Sequence, residues 1–316
     1  MVTIGTWNLE NLYRPGGDGP TTQEAYDAKL ATLVDTIKAH APDVLAVQEV
    51  GQPAAFTDLL EALGAGWNGV LSGHPDARGI RVGFLSRVAA SATTDLLAFP
   101  ASLEPVQVGD PAAEGEPPAM EAAMGRGGLH ATYDVGGVTW DLVTVHLKSK
   151  LLTYPGGRFA PRDEDQRARY GAYALFRRTA EATTVRMHVN TLLTDLDTRR
   201  VVVLGDLNDT EQAATTQLLY GPSGSQFGTG GFSHPDKGDV ARLWNLAPQL
   251  PADHHYSRIN EGQPELIDHI LISHALLDGF RSVDADVSQL ESITPDPRAR
   301  ANAPASDHAP LIAQFA

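Results

Sequence analysis

Seven short, mainly apolar runs constrain this chain more than any other feature: residues 2–6, 44–47, 80–85, 142–145, 201–204, 266–272 and 311–315. They are too short for helices and are bounded by turn-forming residues, so they read as buried strands. Helical patterns lie between some of them. Residues 26–38 carry Leu30, Leu33, Val34 and Ile37 on one face and stop before Pro42; residues 54–63 and a long stretch over 163–196 follow the same period. Residues 98–125, 150–163 and 221–237 are rich in Gly, Pro and Ser and read as irregular surface loops. No fixed repeat or linker interrupts the alternation. The expectation is one domain over residues 1–316, with two sheets covered by helices.

Several protein classes drop out on composition. The chain has no cysteine, so any metal must be held by oxygen and imidazole ligands, and no disulfide or cysteine nucleophile is available. No run approaches the roughly 20 apolar residues of a membrane-spanning helix. Met1 leads almost directly into the first apolar run, without the basic and hydrophobic regions of a signal peptide. That points to the cytoplasm and leaves export open. A formal net charge of −15 opposes non-specific adsorption to nucleic acid, although a cluster of carboxylates awaiting cations would account for part of it.

Chemistry concentrates where the strands end. Trp7-Asn8-Leu9-Glu10 finishes the first run with Asn8 and Glu10 on one side of a strand, because side chains alternate with a period of two. The run 44–47 leads to Gln48-Glu49, 142–145 to His146, and 201–204 to Gly205-Asp206-Leu207-Asn208. Asp268 and the pair Asp307-His308 instead stand at the start of runs, so antiparallel neighbours would bring them to the same rim. The rim then holds Glu49, Asp206, Asp268 and Asp307 beside His146, His308, Asn8 and Asn208. An oxygen-rich set without thiolates suits Mg²⁺ or Mn²⁺, with Ca²⁺ also compatible.

The ordered segments Trp7-Asn8-Leu9-Glu10-Asn11-Leu12, Gln48-Glu49-Val50, Gly79-Ile80-Arg81-Val82-Gly83, Val145-His146-Leu147-Lys148, Gly205-Asp206-Leu207-Asn208-Asp209, Ile267-Asp268-His269-Ile270-Leu271 and Ser306-Asp307-His308-Ala309-Pro310 resemble the motif set of the endonuclease/exonuclease/phosphatase, or DNase I-like, superfamily. Each motif is weak alone; together they are specific. The resemblance implies a four-layered α/β/β/α sandwich of two mixed β-sheets flanked by helices, and a divalent-metal-dependent phosphoesterase. It implies Glu49 as principal metal ligand, with Asn8 and Asp307 completing or supporting that site. Asp206 would orient or deprotonate water, Asn208 hold a phosphate oxygen, and His308, oriented by Asp268, contact the scissile phosphate. His146 matches a histidine of the DNase-like and sphingomyelinase-like branches and argues against the abasic-site endonuclease branch. Arg126 and Lys148 are substrate-binding candidates.

Each residue has a structural alternative. Strand-end Asp and Asn side chains commonly cap turns, His146 could be a core histidine, and Asp268 could pair with an arginine. Glu49 is harder to explain that way, because a glutamate ending an apolar run risks burial without a partner. His254-His255 reads as surface, and Glu10 as either a supporting carboxylate or a surface group. Arg158, Arg162, Arg167 and Arg169 could be a solvated face or a phosphate-facing cluster. The functional expectation is phosphodiester hydrolysis on DNA or RNA, with a phosphatase or a lipid or small-molecule phosphodiesterase as the alternative, and a scaffold on the same fold behind both. The substrate is the only partner expected.

Overall fold

The structure is a computed structural model that describes residues 1–112, 114–227, 229, 234, 236–294, 296 and 299–316. The first part of the chain forms β1 (Val2–Leu12), α1 (Gln23–His40), β2 (Val44–Val50), α2 (Pro53–Leu63), β3 (Asn68–Leu71) and β4 (Arg81–Ser86). Next come β5 (Ala92–Ala98), β6 (Val106–Gly109), β7 (Ala119–Glu121), β8 (Ala123–Val135), β9 (Val138–His146), α3 (Glu164–Leu192), β10 (Arg200–Asp206) and α4 (Ala214–Tyr220). The last part forms β11 (Leu243–Asn245), β12 (Arg258–Asn260), β13 (Gln263–Glu265), β14 (Asp268–Ser273), β15 (Phe280–Ala285) and β16 (Leu311–Phe315).

Two six-stranded sheets result, ordered β15-β16-β1-β2-β4-β3 and β11-β14-β10-β9-β8-β5. Each has one parallel pair near its centre, β1 with β2 and β9 with β10, inside an otherwise antiparallel arrangement. Alternation along the strands builds the layers. Ile4, Val44, Ala46, Val82 and Phe84 of the first sheet pack with Tyr133, Trp140, Leu142, Val202, Leu204 and Ile270 of the second. The intervening positions face outward: Leu45 and Val47 meet Leu33 and Ile37 of α1 and Phe56 and Leu59 of α2, while Val143, Val145, Val201 and Val203 meet Val185 and Val189 of α3. Burial on both faces is why these runs are continuously apolar rather than alternating. Fully burying one such side chain contributes about 1.5–3 kcal/mol. Truncating Phe84, with no exposed surface, to Ala would cost about 3–5 kcal/mol.

All seven expected strands and all three expected helices are present, with shifted ends. Among the described residues, β5, β8, β15 and the short hairpins were not legible as apolar runs; β5, for instance, is mostly exposed. The loop expected over 98–125 contains the β6–β7 hairpin and the start of β8. Helix α3 stops at Leu192, because the next residue leaves the helical region at ψ 66°. Part of the 221–237 loop lies outside the described residues. Pro310 lacks an N–H and begins no ladder, so β16 starts at Leu311 and Asp307-His308 sit on the turn before it. Among the described residues no helix is long and apolar enough to cross a membrane.

Candidate active site

The C-terminal ends of both parallel pairs fall on one rim. Asp206 ends β10 directly beside His146 of β9, and opposite Asp268 at the start of β14. This close approach depends on Gly205: at φ +142°, any Cβ there would lie 2.0 Å from the Val145 carbonyl oxygen. The sheets join below the rim through polar side chains. Gln48 Nε2 donates to Thr6 Oγ1 at 3.1 Å and across the sandwich to Thr144 Oγ1 at 3.0 Å. Directly above, Asn8 Nδ2 donates to Asp206 Oδ2 at 3.1 Å, tying β1 to a strand end 198 residues away.

Asp206 is the hub. Its Oδ2 also lies 3.3 Å from His146 Nε2 and 3.9 Å from His308 Nε2, while Oδ1 accepts the Asn208 N–H at 2.8 Å. His308 Nδ1 is 2.6 Å from Asp268 Oδ2, which also accepts from Ser257 Oγ at 2.7 Å. The side chains of Asp206, Asp268, His146 and His308 are all buried. Burial, reinforced by Asp268, raises the Asp206 carboxyl to about 7. Burial alone would depress His308, but Asp268, Asp307 and Asp206 outweigh it and lift the imidazolium to about 10. His146 goes the other way: burial, with Arg126 and His308 nearby, drives it well below its ordinary value, so it is neutral. Its Nδ1 is buried without a partner, as is Asp268 Oδ1.

Glu49 and Asp307 have a different character. Both are half-buried. Glu49 Oε2 accepts the Asn11 N–H at 2.9 Å, and no hydrogen bond reaches its other oxygen among the described residues. The Asp307 carboxylate accepts none at all among them; its nearest cations are Arg258 at 3.9 Å and His308 at 4.0 Å. Asn8 Oδ1 accepts the Glu10 N–H at 3.0 Å, so its amide bridges backbone and Asp206 and leaves one lone pair free. Glu10, Asn11, Glu49 and Asn208 all have left-handed φ, between 48° and 59°. Such conformations are unfavourable for non-glycine residues and gather where surrounding contacts over-determine the backbone. The Glu10-Asn11 kink shifts the β1–β2 register and breaks the strict alternation expected past Asn8.

The rim thus joins Asn8, His146, Asp206, Asn208, Asp268 and His308 through contacts of the kind described, with Asp307 adjacent and Glu49 at the end of β2. Arg126 and Lys148 both make contacts to protein groups. Arg126 Nε binds Asp76 at 3.0 Å, and Lys148 Nζ folds onto the Ser149 and Leu151 carbonyls at 2.9 and 2.8 Å. His254 and His255 turn to separate acids, Asp284 and Glu211, and build no joint site. Among the basic cluster, Arg158 caps loop carbonyls, while Arg167 and Arg169 pair with Glu164 and Asp110.

Three supporting groups escaped the sequence. Ser257 orients Asp268 from an irregular segment. Arg178 of α3 reaches behind the rim to Asp209 Oδ2 and the Lys148 carbonyl, at 3.0 and 2.9 Å. Glu181 accepts the Lys148 and Gly125 N–H groups at 2.6 and 3.1 Å. Only the burial of Arg178 and Glu181 on one helix face could have signalled the latter two, and the mostly polar composition of α3 hides that face.

Asp206, Asp268 and His308 each offer a ligand atom within 4.8 Å of the others, close enough to hold a metal ion. The comparisons with known proteins agree with this chemistry. A model of the Endonuclease/Exonuclease/phosphatase family matches residues 5–308. Comparison with curated protein sequences finds no significant match. Among solved structures, a family protein from Leptotrichia buccalis superposes with a TM-score of 0.58 at 13% identity, covering 100% of both chains. The human Nocturnin catalytic domain gives 0.55 at 16% identity, covering 100% of this chain and 94% of that one. A 3′ phosphatase from Neisseria, bound to a product DNA hairpin, gives 0.53 at 18% identity over 100% of both chains. At these identities the likeness is one of fold, and it is the family model spanning nearly the whole sequence that decides membership. The chain belongs to the endonuclease/exonuclease/phosphatase family of phosphoester hydrolases.

Proposed function

We propose that this protein is a divalent-cation-dependent phosphodiesterase acting on nucleic acid, DNA or RNA. The observation that carries the reading is the buried Asp206 carboxylate, held by Asn8 and flanked by His146 and His308. Asp206 orients the attacking water and takes its proton; a carboxyl raised to about 7 is well matched to a base near neutral pH. His308, cationic and held by Asp268, donates to a phosphate oxygen and offsets the charge that builds there. Neutral His146 places its Nε2 3.3 Å from Asp206 Oδ2 and packs against the base. Asn208 holds a second phosphate oxygen with the amide hydrogen it does not spend on the Leu147 carbonyl, 2.9 Å away.

Glu49 and Asp307, supported by the Asn8 oxygen, would hold Mg²⁺ or Mn²⁺; Ca²⁺ fits the same oxygen donors. The chemistry that such a cation would supply is neutralisation of phosphate charge and activation of water. The Asp206, Asp268 and His308 trio is the other cradle available.

The Neisseria relative bound to a DNA hairpin supports nucleic acid as substrate. A second reading, hydrolysis of a small phosphomonoester, is favoured by the net charge of −15 and by the similarity to a Bacteroides thetaiotaomicron mannosyl-6-phosphatase, with a TM-score of 0.58 at 13% identity. A substrate panel with Mg²⁺ or Mn²⁺ separates them: plasmid DNA, single-stranded DNA, RNA, bis-p-nitrophenyl phosphate and monoesters, each with and without chelator. Cleavage of polynucleotides and the diester is expected. Turnover of monoesters alone would reject the diesterase reading.

A further inference from the structure

Glu10 stands two residues beyond Asn8 and makes contacts that the reaction scheme above does not use. Its backbone N–H donates to Asn8 Oδ1 at 3.0 Å, and its carboxylate accepts the Asp307 N–H at 2.9 Å. One residue therefore touches both flanks of the proposed cation site, across 297 positions of sequence. Both carboxylate oxygens are also taken by the Arg300 guanidinium, at 3.0 and 3.1 Å. With its oxygens filled and its side chain 11% exposed, Glu10 is not an open ligand.

Arg300 is fixed in turn. It donates to the Ala305 carbonyl at 2.8 Å and to Glu291 at 3.0 Å, so it braces the turn that leads into Ser306-Asp307-His308. Ser306 Oγ donates back to the Asn8 carbonyl at 2.6 Å, and Trp7 Nε1 to the His308 carbonyl at 2.8 Å. Lys29 of α1 is buried near Glu10 and Asp307; burial lowers its pKa while those two carboxylates pull it back up. Glu10 also holds a left-handed φ of 48°, a conformation the surrounding contacts must maintain.

We propose that Glu10 and Arg300 form a positioning clamp that sets the spacing between Asn8 and Asp307, and thereby the affinity of this site for a divalent cation. The inference rests on the reading of Glu49, Asn8 and Asp307 as the cation half. Partners that orient metal ligands typically govern affinity by about 10–100-fold when removed. Among the described residues the clamp makes no direct contact with the Asp206 or His308 side chains, so its first effect falls on the two flanks of the cation site.

The test is calorimetric titration of the full chain with Mn²⁺, alongside diester hydrolysis over a range of Mn²⁺ concentrations. E10Q is expected to raise the Mn²⁺ Kd by about 10–100-fold while kcat at saturating Mn²⁺ stays within about threefold of wild type. R300K, which keeps the charge but not the two-pronged contact, is expected to fall between E10Q and wild type. If E10Q does not fold, R300Q, which leaves the Glu10 carboxylate in place, carries the same titration. A Kd within about twofold of wild type in folded E10Q or R300Q would overturn the clamp, as would a loss confined to kcat. Wild-type binding that Glu49→Ala leaves untouched would instead remove the reading of the cation half, and the clamp with it.

Discussion

The His308 Nδ1 lies 2.6 Å from Asp268 Oδ2, with both side chains closed off from solvent. This contact fixes the ring, leaves Nε2 facing Asp206, and makes the imidazolium the stable form. Because Asp268 is the largest of the contributions that raise His308 to about 10, Asp268→Asn is expected to move the alkaline limb of kcat/KM down by about one pH unit or more. The sign follows from the form required: a cationic His308 is lost as pH rises through its pKa, so a lower pKa ends activity earlier. A pH profile at saturating metal checks it, and an unmoved alkaline limb would reject the assignment.

Ser257 holds the same oxygen of Asp268 that His308 contacts. Its hydroxyl donates to Oδ2 at 2.7 Å and accepts the Ile267 and Asp268 N–H groups, each at 3.2 Å. Ser257→Ala leaves buried polar groups short of a partner and is expected to cost about 1–3 kcal/mol of stability. Urea denaturation gives the stability. Activity at 25 °C, where the variant remains folded, is expected to fall about tenfold through loss of Asp268 orientation.

Arg178 and Asp209 form a buried pair behind the rim, 3.0 Å apart. Arg178→Met leaves the Asp209 carboxylate, among the described residues, with Thr215 and, at 3.6 Å, Lys150. Removing one partner of a buried pair costs about 3–5 kcal/mol. Thermal denaturation should show a clear drop in Tm, and a change below about 1 kcal/mol would mean that the pair is solvated.

Chelation should separate fold from activity. The three hydrophobic clusters bury the faces of both sheets, and the Asp206 hub is held by protein donors. EDTA is therefore expected to abolish hydrolysis while the far-UV circular dichroism spectrum stays unchanged, and Mn²⁺ should restore turnover. Loss of structure on chelation would instead assign the ion a structural role.

Much of the layering was legible because buried strands write themselves as continuous apolar runs; 201–204 and 44–47 could hardly be anything else. Strands that face water on one side, such as β5, or that carry scattered glycines, such as β8, left no comparable trace. The same contrast runs through the site. Asp206, His146 and Asp268 could be placed at one rim from strand periodicity and direction. The contacts of Lys148 with its own loop carbonyls and of Arg126 with Asp76 could not, since the sequence does not say which protein groups a basic residue meets.

The sequence by itself determined the chemical inventory: oxygen and imidazole donors, no thiol, and acidic or amide side chains where apolar strands end. Tertiary structure alone decided how that inventory divides. Asn8 meets Asp206 across 198 residues, Trp7 meets the His308 carbonyl across 301, and Glu10 reaches Asp307 across 297. No local period encodes such pairings, because they follow from how two sheets stack and where their strand ends overlap. Charge state is likewise a property of the fold: the same imidazole is neutral at His146, where burial prevails, and cationic at His308, where Asp268, Asp307 and Asp206 together outweigh burial.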